Sequence, residues 1–458
     1  MNICSIATPT GGALGIIRIS GPQAIEIADK IFRTAKNLPL TERKPNTVCY
    51  GKIVDEAENI IDEVMVSIFR APHSFTGENA VEITCHGSKY IMQQIVNLLI
   101  RNRARQAKPG EFTQRAFMNG KMDLSQAEAV ADLIAANNKA THQLAMSQLR
   151  GNFSSELAKL REQLLKITSL LELELDFSDH EDLEFADRSE LLQLAKQIDA
   201  KITALADSFE KGQALKNGIS VAIVGKTNVG KSTLLNKLLK DERAIVSNIH
   251  GTTRDVIEDS IEIEGLQFRF FDTAGLRETS DEIEQIGIQL TKKKIQEARI
   301  ILWLIDKAVT QEEINEIKKY SDRKSIIVVQ NKLDTTDPND NTIEQQIKTT
   351  LPETHFIRIS AKKSINTEKL EHLLRETSNI PEINENDIIV NNARHYAALT
   401  LAHENLLRVI DSLTQNLSGD LISEDLRQVL SHLGDITGGT ITTTDVLSNI
   451  FKNFCVGK

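Results

Sequence analysis

The chain has 458 residues, 40% of them hydrophobic and 26% charged, with a formal net charge of −10 at pH 7. That length suits about three domains with sizeable cores, the lack of any run of eighteen apolar residues excludes a membrane-spanning helix, and the acidic balance excludes non-specific coating of nucleic acid. The start of the chain lacks a basic-then-apolar secretory layout, and Cys4, Cys49, Cys85 and Cys455 show neither paired metal spacing nor a disulfide framework, so a cytoplasmic protein is expected.

Residues 1–118 mix short β-rich runs, such as Gly15 to Ser20 and Val64 to Phe69, with helical segments, which predicts an N-terminal α/β domain. The basic stretch Arg101 to Lys108 reads as a solvated helix end, or as a local contact for nucleic acid. From Leu124 the pattern turns helical: Ser125 to Glu128 has the form of a capping box, and Leu157, Leu160, Leu164, Ile167, Leu171 and Leu175 step by three or four. The acidic break containing Asp179, His180 and Asp182 reads as an exposed turn rather than a metal site, and a second helical run ends near Gly212. Residues 119–217 are therefore expected to form the first part of a helical domain.

Residues 218–379 alternate strand and helix, as a doubly wound parallel sheet requires. Helical texture returns after Pro381, with Leu399, Ala402, Leu406, Val409 and Leu413 on one face and Ser423 and Thr444 as candidate N-caps. The economical architecture is one helical domain built from 119–217 and 380–458, with the α/β domain of 218–379 inserted between them.

Gly225 to Ser232 fit the phosphate-cradling pattern G-x-x-x-x-G-K-[ST], between an apolar strand, Ile219 to Val224, and a helix beginning at Ser232. Backbone N–H groups along Asn228, Val229, Gly230 and Thr233 would converge on phosphate oxygens, Lys231 supplies a cation, and Ser232 can ligate magnesium. Asn331, Lys332 and Asp334 follow a second apolar strand, where Asp334 can accept from N1–H and the 2-amino group of guanine, a pair adenine does not offer. Ser360, Ala361 and Lys362 follow another strand and offer a backbone donor to the guanine O6, while Asp272, Thr273, Ala274 and Gly275 stand where the magnesium and γ-phosphate are approached. Together these predict a GTPase. Leu276 stands where Ras-like enzymes carry a water-orienting glutamine, so another group must do that work; Arg254 and Arg277 serve either developing charge or surface ion pairs.

These motifs, with Gly251 to Asp255, Asp281 to Gly287, Ser74 to Glu78, His86-Gly87, Pro109 to Phe117 and Phe454 to Lys458, are similar over the whole chain to the bacterial tRNA-modification GTPase family called MnmE or TrmE. The resemblance implies a potassium site at Asn228, Ser247, Ile249 and Thr252, magnesium on Ser232 and Thr253, and a water-positioning carboxylate at Glu284. Ser247 stands where relatives have threonine, a change that leaves a backbone ligand intact. It further implies a homodimer built through the N-terminal domain, 5-formyltetrahydrofolate held by Arg18, Glu82, Lys121 and Lys458, and a Cys455 needed to modify carbon 5 of the wobble uridine (U34). Attack of that thiolate on C6 and a general acid–base role both remain open. The implied partners are tRNA and the FAD-dependent protein MnmG (GidA), in a heterotetramer that installs an aminomethyl or carboxymethylaminomethyl group. The alternative is a regulatory switch GTPase of ribosome assembly or stress, which would have no use for the thiol or the folate residues.

Overall fold

The computed structural model describes residues 1–34, 38–176, 187–241, 258–272, 295–321, 324–335, 341–381, 384, 387–439, 447, 450–452, 454 and 457. They form two compact units: Met1–Ala135, Ala145–Thr203 and Ala397–Lys458 in the first, Ala136–Leu144 and Ala204–Tyr396 in the second. No helix among the described residues is long and apolar enough to cross a membrane.

The first unit opens with a seven-stranded sheet of β1 (Asn2–Ile6), β2 (Leu14–Ser20), β3 (Phe32–Arg33), β4 (Thr47–Val54), β5 (Ile60–Phe69), β6 (Ala80–His86) and β7 (Ala104–Gln106), in the order β3-β4-β5-β6-β2-β1-β7. Side chains alternate faces along a strand. Ile17, Ile19, Val66, Ile68, Val81 and Ile83 therefore pack on the helices Ala24–Ile31 and Lys89–Arg101, each burial worth roughly 1.5–3 kcal/mol. The same alternation puts Arg18, Glu82, Ser67 and Val48 on the opposite face, where register sets them in one row across four strands. That face leaves Val48 65%, Tyr50 66% and Met65 46% exposed.

The basic stretch is more than a helix end. The helix stops at Arg101, Arg103 takes a left-handed backbone (φ 78°), and Ala104 to Gln106 pair parallel with β1 at the sheet edge.

The helices Leu124–Ala135, Asn152–Asp176 and Gly419–Thr437 also belong to this unit, the last lying along the second, as do most of helices Arg188–Asp207 and Ala393–Thr414. The three-four pattern sets the core: Leu157, Leu160, Leu164, Ile167, Leu171, Leu399, Ala402, Leu406 and Val409 are fully buried and Leu413 is nearly so. Two expected caps move. The capping box is Asp123 with Gln126, whose side chains each accept the other's backbone N–H at 2.9 Å, because Ser125 sits buried inside the first turn. Ser423 is a buried residue within Gly419–Thr437, whose cap position belongs to Ser418; Thr444 lies outside the described residues.

In the second unit β8 (Ile219–Val224), β9 (Glu258–Ile263), β10 (Leu266–Asp272), β11 (Ile300–Ile305), β12 (Ser325–Gln330) and β13 (His355–Arg358) run β13-β12-β11-β8-β10-β9, parallel except for the β9–β10 hairpin. Both faces are covered, which is why these strands read as continuous apolar runs. Leu302, Leu304, Ile327 and Val329 meet Leu234 and Leu238 of helix Lys231–Asp241 and Leu370 and Leu374 of helix Thr367–Thr377. Ile301, Trp303, Ile326 and Val328 meet Ile314, Ile317 and Ile347 from the other side. The chain is thus a doubly wound α/β fold combined with an α/β sheet domain and helices. Contrary to expectation, the helical run does not end at Gly212: helix Phe209–Asn217 continues through it, and a β-carbon there would collide with the Val390 carbonyl.

Candidate functional site

In an open parallel sheet, ligands bind beyond the carboxyl ends of the strands where strand order reverses. Here that point is the end of β8, with β10 on one side and β11 on the other, and the phosphate loop leaves it directly. Gly230 has φ 101° and no room for a β-carbon, which would run into Asn331 Nδ2. Lys231, 7% exposed, donates to the carbonyls of Gly225 and Lys226 at 2.7 Å, so its ammonium lies inside the loop. Val229 is buried, whereas Asn228 is exposed with φ 63°. Its own side chain makes no hydrogen bond among the described residues, and its carbonyl accepts from Lys332 Nζ at 2.9 Å.

Asn331 ties the base-side loops to the phosphate loop. Its Nδ2 donates to the Val229 carbonyl at 2.7 Å, its Oδ1 accepts from Ala361 N–H at 3.0 Å, and its own N–H donates to Ile305 at 2.8 Å. Lys332 bridges Asn228 and Asp306, the latter at 2.6 Å, and thereby spans the phosphate loop. Asp334 accepts from the Ser360 hydroxyl at 2.6 Å, and this bond holds its carboxyl below the usual range. The carboxylate stays charged and turned by Ser360, as an acceptor for two guanine N–H groups must be. Lys362 follows at the exposed end of this loop. Asp306 is an orienter that spacing alone does not single out, and Ser360, expected in the base-side motif, also turns Asp334.

A second centre lies on the face of the seven-stranded sheet opposite helices Ala24–Ile31 and Lys89–Arg101. Arg18 and Glu82 are cross-strand partners, and the Arg18 guanidinium donates to Glu82 Oε1 at 2.8 Å. It lies 5.8 Å from the Phe75 ring and 5.9 Å from the Phe112 ring. Beside the pair is a cavity of about 90 Å³ lined by Arg18, Ser20, Phe75, Thr76, Glu82 and Phe112, among others. Lys121 reaches the same loop, donating to the Pro72 carbonyl at 3.1 Å.

Behind the cavity runs a chain of polar contacts. Ser20 bonds Thr76 and Glu78 at 2.7 Å, Glu78 pairs with Arg115 at 2.9 Å, and Arg115 pairs with Glu111, which Arg105 also grips. Burial pushes the Glu111 carboxyl up, but the bonds from Arg105, the Lys108 N–H and Arg115 outweigh it and bring its pKa to about 2.

The last residues of the chain end in this neighbourhood. Phe451 and Phe454 pack against Gly110, which has φ 65° and no space for a β-carbon. Gly457 has φ 96°, lies against the Ile6 carbonyl, and accepts at its own carbonyl from Arg18 at 3.3 Å. Arg18 therefore touches both Glu82 and the Cys-x-Gly-Lys segment. The glycine of that motif is there for a physical reason: only glycine fits the conformation and the contact with Ile6.

Several expected site residues lie outside the described residues: Ser247, Ile249, Thr252, Thr253, Thr273, Ala274, Gly275, Glu284, Cys455 and Lys458, with the turn Asp179 to Asp182. Asp272 closes β10 in register with Ile223, at the end of the sheet that carries the phosphate loop. Lys231 and Ser232 follow at the start of helix Lys231–Asp241, with Thr233 one residue on.

The chain is similar to known proteins along its whole length. A model of the GTP-binding protein TrmE N-terminus matches residues 2–121, and one of the MnmE helical domain matches residues 124–455. The tRNA modification GTPase MnmE of Phocaeicola vulgatus is 52% identical, with 100% of this chain and 98% of that protein covered. Those of Bacteroides fragilis and Parabacteroides distasonis are 53% and 54% identical, with 100% of this chain and 99% of each covered.

Proposed function

Since the chain belongs to the MnmE family of tRNA modification GTPases, we propose that it hydrolyses GTP in support of modification at carbon 5 of the wobble uridine of certain tRNAs. The chemistry is assigned to a second centre made by Arg18, Glu82 and the Cys455 segment. The observation that carries this reading is the Arg18 guanidinium, bound at once to Glu82 and to the Gly457 carbonyl.

At the nucleotide site Lys231 and the loop N–H groups neutralise the phosphates, and Asp334 selects guanine. Ser232 and Thr253 would hold magnesium. Asn228 fits a monovalent cation, because its exposed side chain is uncommitted among the described residues while its backbone is held by Lys332. With Ser247, Ile249 and Thr252 it would hold potassium, whose charge does the work an arginine finger does elsewhere. Glu284 orients the attacking water.

At the second centre the cavity and its two aromatic rings fit the edge of a flat heterocycle, and Glu82 offers the carboxylate that a 2-amino-pyrimidinone needs. Glu82 and Arg18 would hold that end of 5-formyltetrahydrofolate, with Lys121 and Lys458 toward its glutamate tail. When bound, the folate supplies the one-carbon unit. Cys455 acts on the uridine, by addition to C6 or as an acid–base group, and FAD chemistry belongs to MnmG in a heterotetramer. The regulatory-switch alternative loses its ground, since relatives similar over the whole chain are named as tRNA modification enzymes.

The test compares Cys455→Ser and Glu82→Gln with wild type in two assays, GTP turnover and mass spectrometry of wobble nucleosides. Turnover near normal with modification abolished is expected; modification intact in Cys455→Ser sinks the assignment of the second centre.

A further inference from the structure

We propose that the edge of the seven-stranded sheet, from Arg103 along β7 to Lys108 and on to Lys452, is the surface that takes the phosphate backbone of tRNA; the inference rests on the tRNA reading above and says where the RNA lies. Arg103 and Lys108 flank β7 at the outermost position of the sheet and are both exposed. Among the described residues neither forms an ion pair, whereas Arg101 has Glu56 within 3.7 Å and Arg105 is committed to Glu111. The path continues in space. Lys108 precedes the turn at Gly110 on which Phe451 and Phe454 pack, and the exposed Lys452 sits between those two rings in sequence.

The order along the molecule is therefore Arg103, Lys108, Lys452, then Phe454 and Gly457 at Arg18. A polyanion laid on these cations is led to the segment that carries Cys455. A chain of net charge −10 repels RNA as a whole, so its contacts must be concentrated where cations have no carboxylate partner. A duplex stem suits such a strip, because A-form RNA is recognised largely through its phosphates and 2′-hydroxyls. Two acidic groups beside it work against it only partly: Glu56 is paired with Arg101, and Glu111 is buried and paired with Arg105 and Arg115.

The test uses the full chain with Arg103→Glu and Lys108→Glu together, titrated against fluorescent tRNA between 50 and 200 mM salt. For each phosphate no longer neutralised, the plot of log affinity against log salt should flatten by about 0.7–0.9. The pair should raise Kd about tenfold at low salt and flatten the slope by about 1.5, with GTP turnover unchanged. Arg103→Gln with Lys108→Gln, a milder change, guards against misfolding and should fall between. Lys211→Glu with Lys369→Glu, both exposed in the other unit, is the control. An equal weakening in the control pair would mean a diffuse charge effect and overturn the proposal, as would unchanged tRNA affinity in the Arg103/Lys108 variant. Failure to bind the flavoprotein with tRNA affinity intact would reassign the strip to a protein partner and overturn it equally. Failure of wild type itself to bind or modify tRNA would bring down the parent reading.

Discussion

Asp334 and Asn331 stand three residues apart and do different work. On the proposed reading Asp334 selects guanine, so Asp334→Asn should weaken GTP by about a hundredfold and improve binding of xanthosine triphosphate, whose 2-oxo group accepts the new amide N–H. Unchanged preference in competition binding would remove Asp334 from the base site. Asn331 is a brace, 4% exposed and bonded to the phosphate loop and to Ala361. Asn331→Ala leaves the Val229 carbonyl and the Ala361 N–H unpaired, which should cost about 2–4 kcal/mol in denaturant unfolding. The motif and a base-reading Asp334 were expected from sequence, but the bracing by Asn331 was not, because spacing does not say which side chain faces the protein. The cysteines show the same limit: burial pushes the Cys4 and Cys85 thiols up to about 11, so neither is a thiolate at neutral pH.

At the scale of elements, helix Glu111–Met118 and the last residues of the chain form the back and rim of the second centre. Glu111 has its pKa lowered from 4.5 to about 2 by Arg105, the Lys108 N–H and Arg115 against the cost of burial. A lowered carboxyl stabilises the folded state above its unfolded pKa and loses that contribution as pH falls, here between about 4.5 and 2. Glu111→Gln should therefore be less stable than wild type at pH 7, and its unfolding free energy should depend less on pH across that window. A second expectation concerns Gly457→Ala, which forces a β-carbon into the Ile6 carbonyl at φ 96°. GTP turnover should persist while tRNA modification falls by about tenfold or more, from strain of about 1–3 kcal/mol at the docked segment. Full modification in this variant would show that docking is dispensable. Sequence could not supply this contact, since Arg18 and Gly457 meet across 439 positions.

For the whole molecule, the homodimer that the resemblance implies would find a suitable contact on the sheet face that carries Val48, Tyr50 and Met65. Val48, Tyr50 and Met65 present an apolar patch, with Lys52 and Glu63 beside it providing both signs of charge, as a self-complementary two-fold contact needs. In sedimentation equilibrium wild type should run as a dimer and Val48→Glu with Met65→Lys as a monomer, with the fold kept in circular dichroism; a monomeric wild type would remove the dimer, and a dimeric variant would place the contact elsewhere. Sequence by itself determined the GTPase family and the fold class. Phosphate and base contacts ride on short contiguous motifs beside strands, and local spacing of apolar residues is written directly in the order of the chain. It erred where a position depends on its neighbours in space, as with the caps at Asp123 and Ser418 and the close approach of Gly212 to Val390. Only the tertiary structure decided that Arg18 and Glu82 pair on the sheet face opposite helices Ala24–Ile31 and Lys89–Arg101, that β7 closes the sheet edge, and that the last residues of the chain come back to them. Register and long-range packing set those contacts, and neither has a local signature.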